Sequence, residues 1–266
     1  MWDACDAVIA PGAFDVEIER RGPRAVLTLR GDLDIATVGE LELAQKRALA
    51  DHPSRLLIDL RSVAFVDSSG LRLLLQTDSL ARRDGWRLEL LGPAPTAQSV
   101  FAVTGADRLL PFIDRAQGAN ATGQDKGHGI RSAEPCSLRL DLDRAPTAAG
   151  AARAALRGLV SDDLPAVGEQ EVLALLVSEV VTNAVKHAGR RRRAIEFSVD
   201  VNPTHTRVVV TDGGPGFERT AGRRSPSFGP GGYGIFLLDS EASRWGTHHA
   251  PGRFSVWFEL DHASAE

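Results

Sequence analysis

The chain has 266 residues, 43% hydrophobic and 25% charged, with a formal net charge of -4. That is room for about two domains, each with its own core, and it excludes a disordered polyelectrolyte. It also excludes a nucleic-acid binder that works by bulk charge, since the one basic run, Arg190 to Arg193, joins a helix end to a strand and suits the negative end of a helix dipole. No direct contact with nucleic acid is expected.

The two cysteines, Cys5 and Cys136, stand far apart and offer neither a disulfide framework nor a metal-ligand cluster. The first residues are acidic where a signal peptide would be basic, and no apolar run reaches the length of a membrane span. The expectation is a cytoplasmic protein without membrane attachment.

Along the first half, residues 14–19 and 25–31 alternate apolar and polar side chains around Gly22-Pro23, which predicts a hairpin. A helix follows from about Thr37 to Asp51, then a short strand at Leu56 to Leu60, a helix from Ser69, a strand at Leu88 to Gly92, a short helix from Pro95 to Val103 and a last strand at Leu109 to Ile113. Two strands followed by alternating helix and strand predict an α/β domain over residues 1–115. Residues 116–135 are rich in Gly, Ala, Asn and charge without apolar period, so they read as a flexible linker.

The stretch Val63-Ala-Phe-Val-Asp67-Ser68-Ser69-Gly70-Leu71 passes from strand to helix, and Asp and Ser are good N-caps. Taken alone, it is a capped turn. Together with Gly31-Asp-Leu-Asp34 upstream, it resembles the phosphoacceptor loop of the STAS family, the anti-sigma-factor antagonists. The resemblance implies that Ser68 is the phosphoacceptor, with Asp67 and Ser69 beside it as partner-binding residues. That family closes with a further helix, and here the linker begins instead, which leaves the partner surface at that end open.

Residues 136–266 start with a strand at Ser137 to Leu142 and an Ala-rich helix from Pro146 to Val160. The long helix from Glu171 to Gly189 follows. In it Val172, Leu176, Val180 and Ala184 form one apolar stripe and Leu173, Val177, Val181 and Val185 the next. A third stripe carries Glu179, Asn183 and His187. Strands at Ala194 to Val201 and Thr206 to Asp212 come next, then a glycine-rich loop with Arg219, Arg223 and Arg224, a helix from Gly232 to Ser240 and a final strand at Ser255 to Leu260. Helices on one face of a largely antiparallel sheet predict an α+β two-layer sandwich.

Glu179-x-x-x-Asn183 followed by His187-Ala resembles the N-box of the histidine kinase-like ATPase superfamily. Asp212-Gly-Gly214-Pro-Gly216 and Gly232-Tyr-Gly234 resemble its adenine box and its second glycine box, in the same order. The branch with the nearest resemblance is the anti-sigma-factor serine kinases. ATP and Mg2+ are then implied, with Asn183 as metal ligand, Glu179 as catalytic base, and His187, Asp212, Gly214, Gly216, Gly232 and Gly234 around the nucleotide. Arg153 is implied as a partner-binding residue, and the lid arginines read either as γ-phosphate contacts or as solvated charge. Where that family has Gly-Thr before its last strand, this chain has Arg253-Phe254-Ser255, which leaves the adenine-side hydroxyl open.

Joined, these resemblances imply a partner-switching regulator: a serine kinase and anti-sigma-type binder fused to its own kind of antagonist. Its partners would be a sigma factor or an anti-sigma or antagonist protein, and its own N-terminal domain in cis or in trans, docked when unmodified and released by phosphate on Ser68. A homodimer stays open. The alternative is an ATP-binding module that sequesters a partner without phosphotransfer. A chaperone-like or topoisomerase-like ATPase would need transducer domains for which there is no room.

Overall fold

The computed structural model describes residues 14–114, 136–159, 167–187, 194–216 and 233–262, and the chain divides into two compact units. The linker stretch 116–135, Cys5, the Arg190 to Arg193 run, the lid arginines and Gly232 lie outside the described residues.

In the first unit β1 (Asp15–Arg21) pairs antiparallel with β2 (Arg24–Leu33), and β2, β3 (Arg55–Val66), β4 (Arg87–Leu91) and β5 (Phe112–Asp114) run parallel in that order. The central strand β3 is the apolar one, with Leu56, Leu57, Ile58 and Leu60 buried. Such a run suits a parallel strand covered on both faces. Helices α1 (Val38–Leu49) and α2 (Ser68–Asp84) complete the unit, and α3 (Pro95–Val103) begins in it, through Gln98.

Two details differ from the sequence reading. The strand at Leu56 runs on through Val66, because register shifts in its pairing with β2 at Thr28/Arg30 and Gly31/Asp32 keep the two in step. The last strand is only three residues, since Ala106–Arg108 winds into a 3-10 turn ahead of it.

Helix α2 starts where β3 ends. Asp67 is its N-cap, with the side-chain oxygen Oδ1 accepting from the Ser69 and Gly70 amides at 2.8 and 3.1 Å. Gly70 packs against Leu33 so closely that a Cβ there would stand 2.6 Å from Leu33 Cγ and 2.7 Å from its carbonyl oxygen. Close approach, not a turn, is what requires this glycine.

The second unit is an antiparallel sheet in the order β6-β7-β8-β10-β9, made of β6 (Cys136–Asp143), β7 (Ala194–Val201), β8 (His205–Asp212), β10 (Arg253–Asp261) and β9 (Arg244–Ala250). The strand β9 was not expected, because Arg-Trp-Gly-Thr-His-His-Ala has no alternating apolar side chains. It is an edge strand that needs only Trp245 inside. Helices α4 (Ala148–Leu159), α5 (Val167–His187) and α6 (Tyr233–Glu241) complete it, and α5 packs against both other helices and against β7 and β8. Inward side chains Ile195, Phe197, Val199, Val208, Val210 and Phe258 meet Leu173, Leu176, Val177, Val180 and Val181 of α5 in one core.

The outward side of the sheet is polar. There Arg207 lies over the Trp257 ring at 4.3 Å and pairs with Glu259, which also accepts from Arg244 Nε at 2.7 Å.

Gly70→Ala should destabilise the first unit by about 1–3 kcal/mol, the usual cost of forcing atoms into a filled site. Chemical denaturation checks this, and an unchanged midpoint would mean that the Leu33 contact yields easily.

Candidate functional site

Helix α5 brings the polar stripe to one end of the core. Its buried residues include Leu175, Ser178 and Thr182 besides the two apolar stripes, so the helix is enclosed on more than its sheet-facing side. Glu179 is 3% exposed, Asn183 is half-buried and His187 is exposed at the C-terminal end. A cavity of about 260 Å³ opens beside this stripe. Val180, Asn183, Ala184 and His187 line it from α5, Val210 and Asp212 from β8, and Gly214, Pro215 and Gly216 from the loop after β8. Ile235 of α6 and Phe254 and Val256 of β10 close it.

Strand pairing sets these positions. The β8 to β10 register puts Asp212 opposite Phe254 and Val210 opposite Val256, so all four face inward toward α5. Thr211 and Ser255, one residue out of phase, face the other side and share a hydroxyl hydrogen bond of 2.8 Å. Ser255 therefore does not supply a hydroxyl to the cavity, and a phenyl ring stands there instead. Gly216 has φ +73 and sits against that ring, where any Cβ would collide with Phe254.

Asn183 and Glu179 meet at Gly234 near the start of α6. A Cβ on Gly234 would lie 2.7 Å from Asn183 Nδ2 and 3.2 Å from Glu179 Oε2. Only a glycine can lie this close to both side chains. Glu179 itself does not line the cavity but stands one helical turn from Asn183 at this narrow point.

Asp212 is 7% exposed and accepts the Gly214 N–H. Burial lifts its carboxyl above the ordinary carboxylate range, and the Gly214 N–H and the charges of Arg144 and His187 pull the other way. Arg144 also anchors the end of α5, with Nε donating to Val185 O at 3.1 Å. Sequence reasoning missed Arg144 and Phe254. Strand alternation counted back from Asp212 marks the inward face, but only the pairing register tells which residue of β10 joins it.

A hydrated Mg2+ suits these donors. Among the described residues no group of three or more His, Cys, Asp or Glu could hold a metal, so a cation here would rest on the Asn183 amide and on substrate oxygens, which is how Mg2+ is commonly held. Gly234 lets the start of α6 lie against Asn183 and Glu179, where a side chain would clash.

In the first unit Ser68 is the first residue of α2 and half-buried, while the Ser69 hydroxyl is buried without a hydrogen-bond partner. Two residues expected to contact a partner are placed inside instead. Asp67 is 0% exposed, and its Oδ2 accepts from Ile35 N at 3.2 Å, so it ties α2 to the loop after β2. Arg153 is 1% exposed, with Nη1 donating to Ser178 Oγ at 2.9 Å, so it stabilises the α4–α5 contact. Asp67 thus fills the capping role its position suggests, and Arg153 meets a helix-packing need that spacing alone does not reveal.

The Asp212 geometry sets a stability test. A carboxyl whose folded-state pKa is raised favours the fold below its unfolded pKa and loses that contribution as pH rises through the folded value. At pH 7 ionised Asp212 is therefore a net cost. Asp212→Asn should raise the melting temperature of the unliganded protein at pH 7, and the gap should close below about pH 4. A variant that melts lower at pH 7 would contradict this.

Comparison with known proteins bears on both units. Residues 16–111 match the family described as Mlab, STAS domain, and residues 139–258 match the Histidine kinase-like ATPase domain. Anti-sigma-F factor antagonist RsfB of Mycobacterium tuberculosis is 38% identical over 68 residues, which is 26% of this chain and 56% of that protein. The chain thus spans about half the length of that relative. An anti-sigma-B factor antagonist of Staphylococcus aureus is 30% identical over 80 residues, 30% of this chain and 74% of that protein. Among solved structures, an anti-sigma factor antagonist from Mycobacterium paratuberculosis has 29% identity over 40% of this chain and 91% of its own, with a TM-score of 0.35. The RsbU and RsbW domains of a Mycobacterium tuberculosis protein have 20% identity over 48% of this chain and 32% of theirs, with a TM-score of 0.36. Residues 16–111 belong to the STAS family and residues 139–258 to the histidine kinase-like ATPase family.

Proposed function

We propose that the chain is a cytoplasmic partner-switching regulator in which the second unit is an ATP-dependent serine kinase and anti-sigma-type binder and the first is an antagonist domain phosphorylated at Ser68. The observation that carries the reading is the junction of Glu179, Asn183 and Gly234 at one end of the cavity, with Asp212 in its wall. A buried carboxylate one helical turn from an amide that lines the cavity supports transfer to a hydroxyl.

In this reading Asp212 accepts the amino hydrogen of adenine, and Phe254 and Val210 cover the base. Asn183 holds Mg2+, which when bound would neutralise charge on the phosphates. Glu179 takes the proton of the attacking serine hydroxyl, the serine oxygen bonds to the γ-phosphorus, and the bond to the bridging oxygen breaks to leave ADP. The N-terminus of α6, at Tyr233 and Gly234, presents helix-end N–H groups to the phosphates. The acceptor is Ser68, in the same or another copy, or the matching serine of a separate antagonist. The relatives' names make a sigma factor or an anti-sigma factor the natural partner class.

Incubation of the full chain with labelled ATP and Mg2+ tests this. The parent should take up label on Ser68, Ser68→Ala should lose it there, and Glu179→Ala should bind ATP yet label about 10²–10⁴-fold more slowly. If the parent binds ATP but labels neither itself nor an added antagonist, the second unit is a sequestering module. If Glu179→Ala labels at the parent rate, Glu179 is structural.

A further inference from the structure

Helix α2 carries three arginines, and two of them are satisfied. Arg82 Nε donates to Asp78 Oδ2 at 2.8 Å and Arg83 Nε to Asp84 Oδ1 at 2.7 Å, both in the last turn. Arg72 is different. Its Nε is buried and meets no acceptor, and it takes part in no ion pair among the described residues. A buried N–H without an acceptor is a standing cost, so its place calls for an explanation.

Arg72 is four residues C-terminal to Ser68 on the same helix. That spacing sets two Cβ atoms about 5–6 Å apart on one face, and because helical side chains lean toward the N-terminus, the turn that begins with Ser68 is within reach of an arginine at position 72. An anion four residues before a cation is also the favourable order along a helix.

The surroundings leave a phosphate on Ser68 few other partners. The helix-end amides of Ser69 and Gly70 are already donated to Asp67 Oδ1, and the Leu71 amide to Asp67 O. The carboxylates at this end, Asp32, Asp34 and Asp67, are 8%, 3% and 0% exposed. A group with a charge of about -1.5 to -2 placed beside them needs a cation.

We propose that Arg72 is the counter-ion of a phosphate on Ser68, its guanidinium fork donating to the phosphate oxygens and holding the modified helix end in its folded form. The proposal rests on Ser68 as the acceptor. Arg72 is then a binding residue for the modified state and has no part in the transfer reaction. The modified unit keeps its fold because charge added at the first turn is neutralised within the same helix.

The test uses the full chain with phosphoserine installed at position 68 by genetic code expansion, so it does not depend on kinase activity. In a phosphorus NMR titration the phosphate's second ionisation, ordinarily near 6, should fall by about half a unit or more in the parent. It should return toward 6 in Arg72→Gln, with Arg72→Lys between the two, since lysine keeps charge but not the fork. The Arg72 Nε–H resonance of the parent should also move as the phosphate titrates, a readout that needs no variant. Equal ionisation in parent and Arg72→Gln, or an unmoved Nε–H resonance, would overturn the proposal. Failure of the chain to label itself with ATP would bear on the kinase reading alone.

Discussion

The second unit depends on one helix being packed from several sides at once. From Leu175 to Thr182 every residue of α5 is buried, and Thr182 itself is 1% exposed. A helix so enclosed has little freedom to rotate or slide, because each shift would open voids against α4, α6 and the sheet. Glu179 and Asn183 are thereby held at fixed depth. The Arg153 to Ser178 hydrogen bond belongs to the same packing, since it lets the small residues of α4 approach without leaving the serine hydroxyl unmatched on that side. Rigidity of this kind is what the proposed roles of Glu179 and Asn183, proton acceptor and metal-binding amide, require.

Glycines do complementary work at the places where backbone must come close. Gly234 lets α6 begin against Asn183 and Glu179, Gly216 lets its loop lie on the Phe254 ring, and Gly70 seats α2 on Leu33. In each case a methyl group would fill or distort the space. The polar boundary of the cavity is correspondingly sparse, with Asp212, Asn183 and His187 as its polar side chains among the described residues. A site of this composition recognises a ligand through few directed hydrogen bonds and much apolar contact, and the buried Asp212 carboxylate is held ready at an energetic cost.

Much of this was legible in the sequence, because amphipathic period and motif order report directly on which face of an element is buried. The α5 stripes marked its sheet-facing side, and strand alternation marked β6, β7 and β8. What was not legible depended on partners distant in sequence. Strand β9 carries one buried side chain and so no period, and the exchange of Ser255 for Phe254 at the cavity follows from the β8 to β10 register. Asp67 and Arg153 were expected at a partner surface because the family resemblances imply it. Their burial is explained by backbone amides in one case, the cap that the strand-to-helix pattern already suggested, and by a serine hydroxyl distant in sequence in the other. Arg72 carried no motif at all, and only its unmatched nitrogen sets it apart.

The central claim is that the cavity beside α5 is a nucleotide site organised by Asn183 and Asp212. Calorimetric titration of Mg-ATP into the full chain and into Asn183→Ala tests it most directly. The account expects saturable one-site binding by the parent and its loss in Asn183→Ala, because no neighbouring side chain can replace the metal-binding amide. Unchanged affinity in the variant, or no binding by the parent, would contradict it.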